Sequence, residues 1–407
     1  MNSANLALKG CVTSVLLACS GGQEPGLDTA DTDSGLQPLT YQEFLLDWYA
    51  DYDAGQGLEY LDQTGEWERD QGDSVTYDVL RDAAYGPHGE RTTMDVYLPT
   101  GAENAPVVVF IHGGGFRSKN KDNLLDDNER IQVAGRFLQA GFAVASINYR
   151  YRSDGLEETV LEPDWECSGE SDEDGCRLDV IYRDGARAVQ YLRYRSEELK
   201  IDPDRIGAWG RSAGGQIVTW IGLVPDLAVA DHEDPVLRQS TSLQAIGHTN
   251  SQVTGPSHLW PEHVSFASSG DCEMEDLWDR LRVIKGETGY NQSLQSTLQD
   301  LDDTSAGQDL IRVVHFLDAM GPEDPPFLTS SPVRDYTCEE LMQMSDDDFQ
   351  GSVLHHPRHS EPLMERCEEV GVGTCEKITA LGNTFSDDED GYKEEEELMR
   401  QFMVEWL

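Results

Sequence analysis

Arg205-Ile206-Gly207-Ala208-Trp209-Gly210-Arg211-Ser212-Ala213-Gly214-Gly215 is the stretch that decides the fold. It reads as an apolar strand that breaks at Gly210 and restarts as a helix at Ser212. A serine on such a sharp strand-to-helix bend has its hydroxyl pushed out of the sheet, and flanking glycines relieve the crowding around it. The same arrangement occurs earlier: Val107-Val108-Val109-Phe110-Ile111 runs into His112-Gly113-Gly114-Gly115-Phe116. A triple-glycine turn lets backbone amides approach a substrate oxygen with no Cβ in the way. In this order the two turns describe a nucleophile and the amides that hold its oxyanion, and so name acyl transfer as the reaction class.

Between and around these turns, strand-like and helix-like stretches alternate. Val75 to Val79 and Thr92 to Leu98 alternate as strands do, and Val107 to Ile111 reads as a strand covered on both faces. A helix is expected over Asn128 to Ala140 with Gly141 as its C-cap, then a strand over Phe142 to Ile147 and a helix over Val180 to Leu199. Leu243 to Gly247, Pro326 to Ser330 and Glu376 to Leu381 read as three later strands. The implied class is α/β: a mostly parallel eight-stranded sheet with helices on both faces and its reactive groups at the carboxyl ends of strands. Ser251 to Asp324 lacks strand alternation and carries helical segments such as Met274 to Ile284, so about 251–324 is expected to be a helical cap inserted between strands.

The 407 residues suffice for one large domain with a substantial core. With 30 basic against 77 acidic residues, the formal charge is −47. Repulsion over the whole surface makes nucleic acid and anionic membrane surfaces poor partners, and the partner expected from the reaction class is a small-molecule ester substrate. Residues 1–19 resemble an export signal, with Lys9, a short apolar stretch and Leu16-Leu17-Ala18-Cys19 in the manner of a lipobox. Cys19 would then be the lipid anchor and the sole link to a membrane, in a protein exported to the bacterial cell envelope. Residues 20–40 read as a flexible acidic linker ahead of a folded body over 41–407. Six cysteines remain, which allow fifteen pairings. Proximity favours Cys167 with Cys176 and Cys367 with Cys375, leaving Cys272 with Cys338 by elimination; no Cys-x-x-Cys metal motif occurs.

The chain resembles an α/β-hydrolase of the carboxylesterase type, close to the hormone-sensitive-lipase-like and feruloyl-esterase-like bacterial groups. The likeness is carried by Met94-Asp95-Val96-Tyr97-Leu98-Pro99, Asn148-Tyr149-Arg150-Tyr151, Asp202-Pro203-Asp204-Arg205-Ile206 and Ser212-Ala213-Gly214-Gly215, and is strong from about Met94 to Val224. It implies Ser212 as nucleophile, the amides of Gly113, Gly114 and Ala213 as oxyanion hole, and no metal or organic cofactor. It also implies an acid after Pro325-Pro326-Phe327-Leu328, where Asp335 stands, with Asp346, Asp347 and Asp348 as rivals. The family's base belongs in a turn after the last strand, but this chain reads Leu381-Gly382-Asn383-Thr384-Phe385 there, and no histidine follows His359. Asparagine cannot take the serine's proton. Either His355 or His356 enters the site as a substitute base, or the protein keeps the fold as a binding protein without turnover. A faint likeness to a calcium loop over Ser386 to Gly391, with Glu397 behind it, reads better as a solvated turn before a helix.

Overall fold

One apolar run shows how the layers form. In Ala105–Ile111 every residue is buried, yet alternate side chains go to opposite faces of the sheet. Val107, Val109 and Ile111 join one core, whereas Val108 and Phe110 join another. A strand with two apolar faces demands cover on both, so the sheet becomes the middle layer of three.

The computed structural model describes residues 64–68, 74–126, 128–152, 167, 176–255, 259–268, 272–287, 305–331, 333–379 and 389–407. The leader-like residues 1–19, the linker 20–40 and Asn383 lie outside them, as do residues 386–388 of the calcium-like stretch. Strands in chain order are β1 Thr64–Glu68, β2 Ser74–Ala84, β3 Thr93–Pro99, β4 Ala105–Ile111, β5 Ala143–Ile147, β6 Ile201–Arg211, β7 Ile246–Thr249, β8 Phe327–Ser331 and β9 Cys375–Thr379. They form a sheet of order β1-β2-β3-β5-β4-β6-β7-β8-β9. From β5 to β9 all neighbours are parallel, and β1 to β3 make an antiparallel edge. This is the α/β-hydrolase architecture, with β1 added to the eight expected strands.

The helices are α1 Asn123–Asp126, α2 Asn128–Gln139, α3 Leu178–Tyr194, α4 Ser196–Leu199, α5 Ala213–Leu223, α6 Trp260–His263, α7 Met274–Glu287, α8 Ser305–Val314, α9 Cys338–Met342, α10 Asp346–Leu354, α11 Glu361–Val370 and α12 Glu389–Trp406. On one face, Phe137 and Leu138 of α2 and Met399, Phe402 and Met403 of α12 cover the Val108 side. On the other, α3 and α5 cover the Val109 side through Ile181, Ala188, Ile217 and Ile221. Gly141 takes φ +87° just after α2, as a left-handed C-cap requires. The expected helix to Leu199 instead breaks between α3 and α4, where Arg195 leaves helical geometry at φ −101° and ψ 13°.

Two excursions interrupt the sheet on the side that concerns function. Between β7 and β8 the chain carries α6, α7 and α8, in the stretch expected to form a helical cap. Between β8 and β9 it carries α9, α10 and α11. Disulfides join Cys167 to Cys176, Cys272 to Cys338 and Cys367 to Cys375. The middle one ties the lead-in to α7 to the first residue of α9. Among the described residues no helix is long and apolar enough to cross a membrane.

Candidate active site

Ser212 sits between the end of β6 and the start of α5, with φ +51° and ψ −119°. An L-residue adopts that conformation only when its surroundings force it. Here the forcing is visible in the packing. A Cβ on Gly210 would lie 2.3 Å from Gly214 O, and one on Gly214 would lie 2.1 Å from Ile111 O. The Ser212 amide donates to Thr249 O on β7 at 2.9 Å, which anchors the bend to the neighbouring strand. Its side chain is only partly buried.

The triple-glycine turn at the end of β4 comes up against this bend. A Cβ on Gly113 would stand 3.3 Å from Ser212 Cβ and 2.8 Å from Arg211 O, so only glycine fits there. The carbonyls of the turn are held from behind. Tyr149 Oη lies 2.8 Å from His112 O and 3.2 Å from Gly113 O, and His112 Nδ1 donates to Gly113 O at 2.7 Å. The His112 ring stacks on Tyr149 with centroids 4.3 Å apart. Burial pushes the Tyr149 phenol well above its ordinary pKa, so it stays a proton donor. In a trans peptide the N–H points opposite to the C=O, and no peptide here is cis. Pinning His112 O and Gly113 O therefore turns the Gly113 and Gly114 amides away from Tyr149. Ala213 opens α5, so its amide is among the donors that a helix leaves unpaired in its first turn, where the dipole also favours negative charge.

The imidazole beside Ser212 comes from one of the two histidines that the sequence offered as substitutes. His355 Nε2 lies 3.1 Å from Ser212 Oγ. His355 follows α10 directly, in the segment after β8, whereas the family pattern puts its base after the last strand. His356, the other sequence candidate, is turned elsewhere. Its Nε2 donates to Tyr336 O at 3.0 Å, and its Nδ1 accepts from the Arg358 amide at 3.2 Å. Burial lowers its pKa to about 4, partly offset by Asp335. With both nitrogens occupied and the ring packed edge-on against Phe266, His356 has nothing to offer Ser212.

Asp335 was expected to orient whichever histidine serves, and the structure places it one residue away from that job. Its two oxygens bind Arg358 at 3.0 and 2.9 Å, and Oδ1 lies 3.7 Å from His356 Nε2. The reason is local: Arg358 offers a planar fork that matches a carboxylate, and it reaches Asp335 at the surface. Asp346 pairs with Arg280 at 2.7 Å, and Ser345 caps the helix that Asp346 to Asp348 begin, so these rivals serve α10. Glu397, the last member of the calcium-like stretch, is held by Arg400, Gln401 and Arg136. Among the described residues no cluster of three or more metal-ligating side chains occurs.

Sequence reasoning missed the carbonyl clamp at Tyr149, although Asn148 to Tyr151 stood out as a stretch. The available signal was a tyrosine two residues beyond a buried strand.

Residues 94–158 and 178–261 match the BD-FAE family model, a feruloyl-esterase-like α/β-hydrolase domain. Among curated proteins, "Gut esterase 1" of Caenorhabditis elegans is 28% identical over 133 residues, which is 33% of this chain. That alignment spans 21% of the relative's own length. Among solved structures, a truncated carbohydrate esterase from gut microbiota is 16% identical, with a TM-score of 0.48 over 80% of this chain and 96% of that one. A propionate-bound esterase of Thermogutta terrifontis is 18% identical, with a TM-score of 0.46 over 81% of this chain and 94% of that one.

Proposed function

We propose that this protein is a serine hydrolase that cleaves carboxylic esters through an acyl-serine intermediate. The observation that carries the proposal is the 3.1 Å approach of His355 Nε2 to Ser212 Oγ at a strained bend beside a triple-glycine turn. Ser212 Oγ attacks the ester carbonyl while His355 Nε2 takes its proton. The amides of Gly113, Gly114 and Ala213 receive the developing oxyanion. His355 then gives the proton to the departing alcohol, and water repeats the sequence on the acyl-serine to release the acid. Removing one such amide donor costs about 10²–10³ in rate in a comparable site, which is the scale on which the glycine turn matters. Asp335 acts at a distance, by fixing Arg358 and the loop that follows the base.

The BD-FAE match and the esterase relative favour a carboxylic ester as substrate. A protein that merely binds was suggested by Asn383, and an imidazole on Ser212 from a different loop removes that motive. Three disulfides suit an oxidising compartment, in line with export and a lipid anchor at Cys19. Cys19→Ser should move the protein from the membrane fraction to the soluble one, and unchanged fractionation would contradict the anchor. For the activity, purified protein should hydrolyse short-chain 4-nitrophenyl esters and Ser212→Ala should not. A folded wild type without hydrolysis, or an equally active Ser212→Ala, overturns the proposal.

A further inference from the structure

A base mounted on an inserted segment needs something to hold it in register with the nucleophile. The two peptide groups that flank His355 are both pinned. Leu354 O accepts from Gln252 Nε2 at 2.7 Å, and His355 O accepts from Ser331 Oγ at 2.7 Å. Ser331 ends β8, so that bond refers the base to the sheet.

The bond from Gln252 leads further. A carbonyl only accepts, so Gln252 must present its amide nitrogen to Leu354. Its Oε1 then faces Gln216, whose Nε2 donates to it. Gln216 Oε1 in turn accepts from Tyr182 Oη at 2.8 Å. The chain begins at an acceptor-only carbonyl and ends at a phenol that donates, so one orientation of both amides satisfies every bond. All three side chains are buried, Tyr182 on α3, Gln216 on α5 and Gln252 just past β7. Gln216 also donates its backbone amide to Ser212 O at 3.1 Å. One residue thus touches the nucleophile through its main chain and the base's support through its side chain.

We infer that Tyr182, Gln216 and Gln252 form a buried, directional hydrogen-bond chain that sets the position of His355 against Ser212. They are positioning residues: none of them touches the reacting atoms. The inference rests on the proposal that Ser212 and His355 are nucleophile and base. A misplacement of about 1 Å can cost on the order of a hundredfold in rate, so the chain acts on turnover more than on substrate binding.

The test compares Gln252→Met, Tyr182→Phe and the double variant with wild type and His355→Ala, by kcat and KM on a 4-nitrophenyl ester and by thermal midpoint. Gln252→Met should lower kcat by about ten- to a hundredfold with KM within about twofold. Tyr182→Phe should lower kcat by less, since the amides keep some partners. The double variant should be no slower than Gln252→Met alone, because both changes break one chain. Wild-type kcat in Gln252→Met, with His355→Ala inactive, overturns the positioning chain and leaves the base in place. Additive losses in the double variant overturn it as well. Should Gln252→Met fail to fold, Tyr182→Phe keeps the ring and decides alone: lowered kcat supports the chain and unchanged kcat overturns it. A fully active His355→Ala removes the base and the chain with it.

Discussion

At the scale of single residues the proposed mechanism divides the site into groups that would react and groups that hold. Ser212 and His355 meet at 3.1 Å, whereas Asp335 spends both oxygens on Arg358. Asp335→Asn should therefore lower kcat/KM by less than about tenfold, while His355→Ala should lower it by more than about a thousandfold, on the scale known for loss of a triad base. Ester hydrolysis by the two variants checks this, and equal losses would return Asp335 to direct contact with the base. The strained bend at Ser212 was legible because it needs glycines at fixed offsets, and the triple-glycine turn beside it for the same reason. Which of His355 and His356 would serve was not legible. Adjacent residues leave a helix end in different directions, and only the tertiary contacts of Tyr336 and Arg358 remove His356 from the choice.

At the scale of elements the insertion between β7 and β8 and the insertion between β8 and β9, which carries His355, are fastened to each other. Cys272 is bonded to Cys338, and Cys338 N donates to Ala267 O at 2.8 Å. From α7, Arg280 donates to Met342 O at 3.0 Å and Met344 O at 2.7 Å, and its guanidinium lies 4.3 Å from the Phe349 ring centre. The bridge closes a separation of 66 residues, for which chain entropy alone gives about 4 kcal/mol. Cys272→Ser/Cys338→Ser should lower the thermal midpoint and reduce kcat, because α9 and α10 lead into His355; unchanged values of both would separate the cap from catalysis. Alternation and glycine spacing made β3 to β6 readable. β1 was missed because it is a five-residue edge strand held by pairing to β2 alone. β2 was read short, since its continuation to Ala84 passes a register shift between Leu80 and Ala83, where Asp82 takes φ +53°. Two disulfide pairs followed from proximity in sequence, because they close short loops, and Cys272 with Cys338 followed by elimination.

At the scale of the whole molecule, a chain with a formal charge of −47 keeps several histidines neutral inside it. Burial lowers His248 to about 3 and His88 and His356 to about 4, each from an ordinary 6.5. Between those values the unfolded chain binds more protons than the folded one, so these groups stabilise the fold above pH 6.5 and that stability drains away on acidification. Asp324, raised by burial to about 6, works in the opposite sense. His248 packs on Phe327 at 5.2 Å between ring centres, so His248→Phe keeps the volume and removes one titrating group. Its thermal midpoint should fall less than that of wild type between pH 7 and pH 5, and parallel curves would contradict the linkage. Fold and chemistry meet in a single contact, and active-site phosphonylation reports on that contact directly. Incubated with a fluorophosphonate and followed by intact mass, wild type should gain one adduct at Ser212. His355→Ala should gain it more than about a hundredfold more slowly. Labelling of folded His355→Ala at the wild-type rate would contradict the pairing of Ser212 with His355.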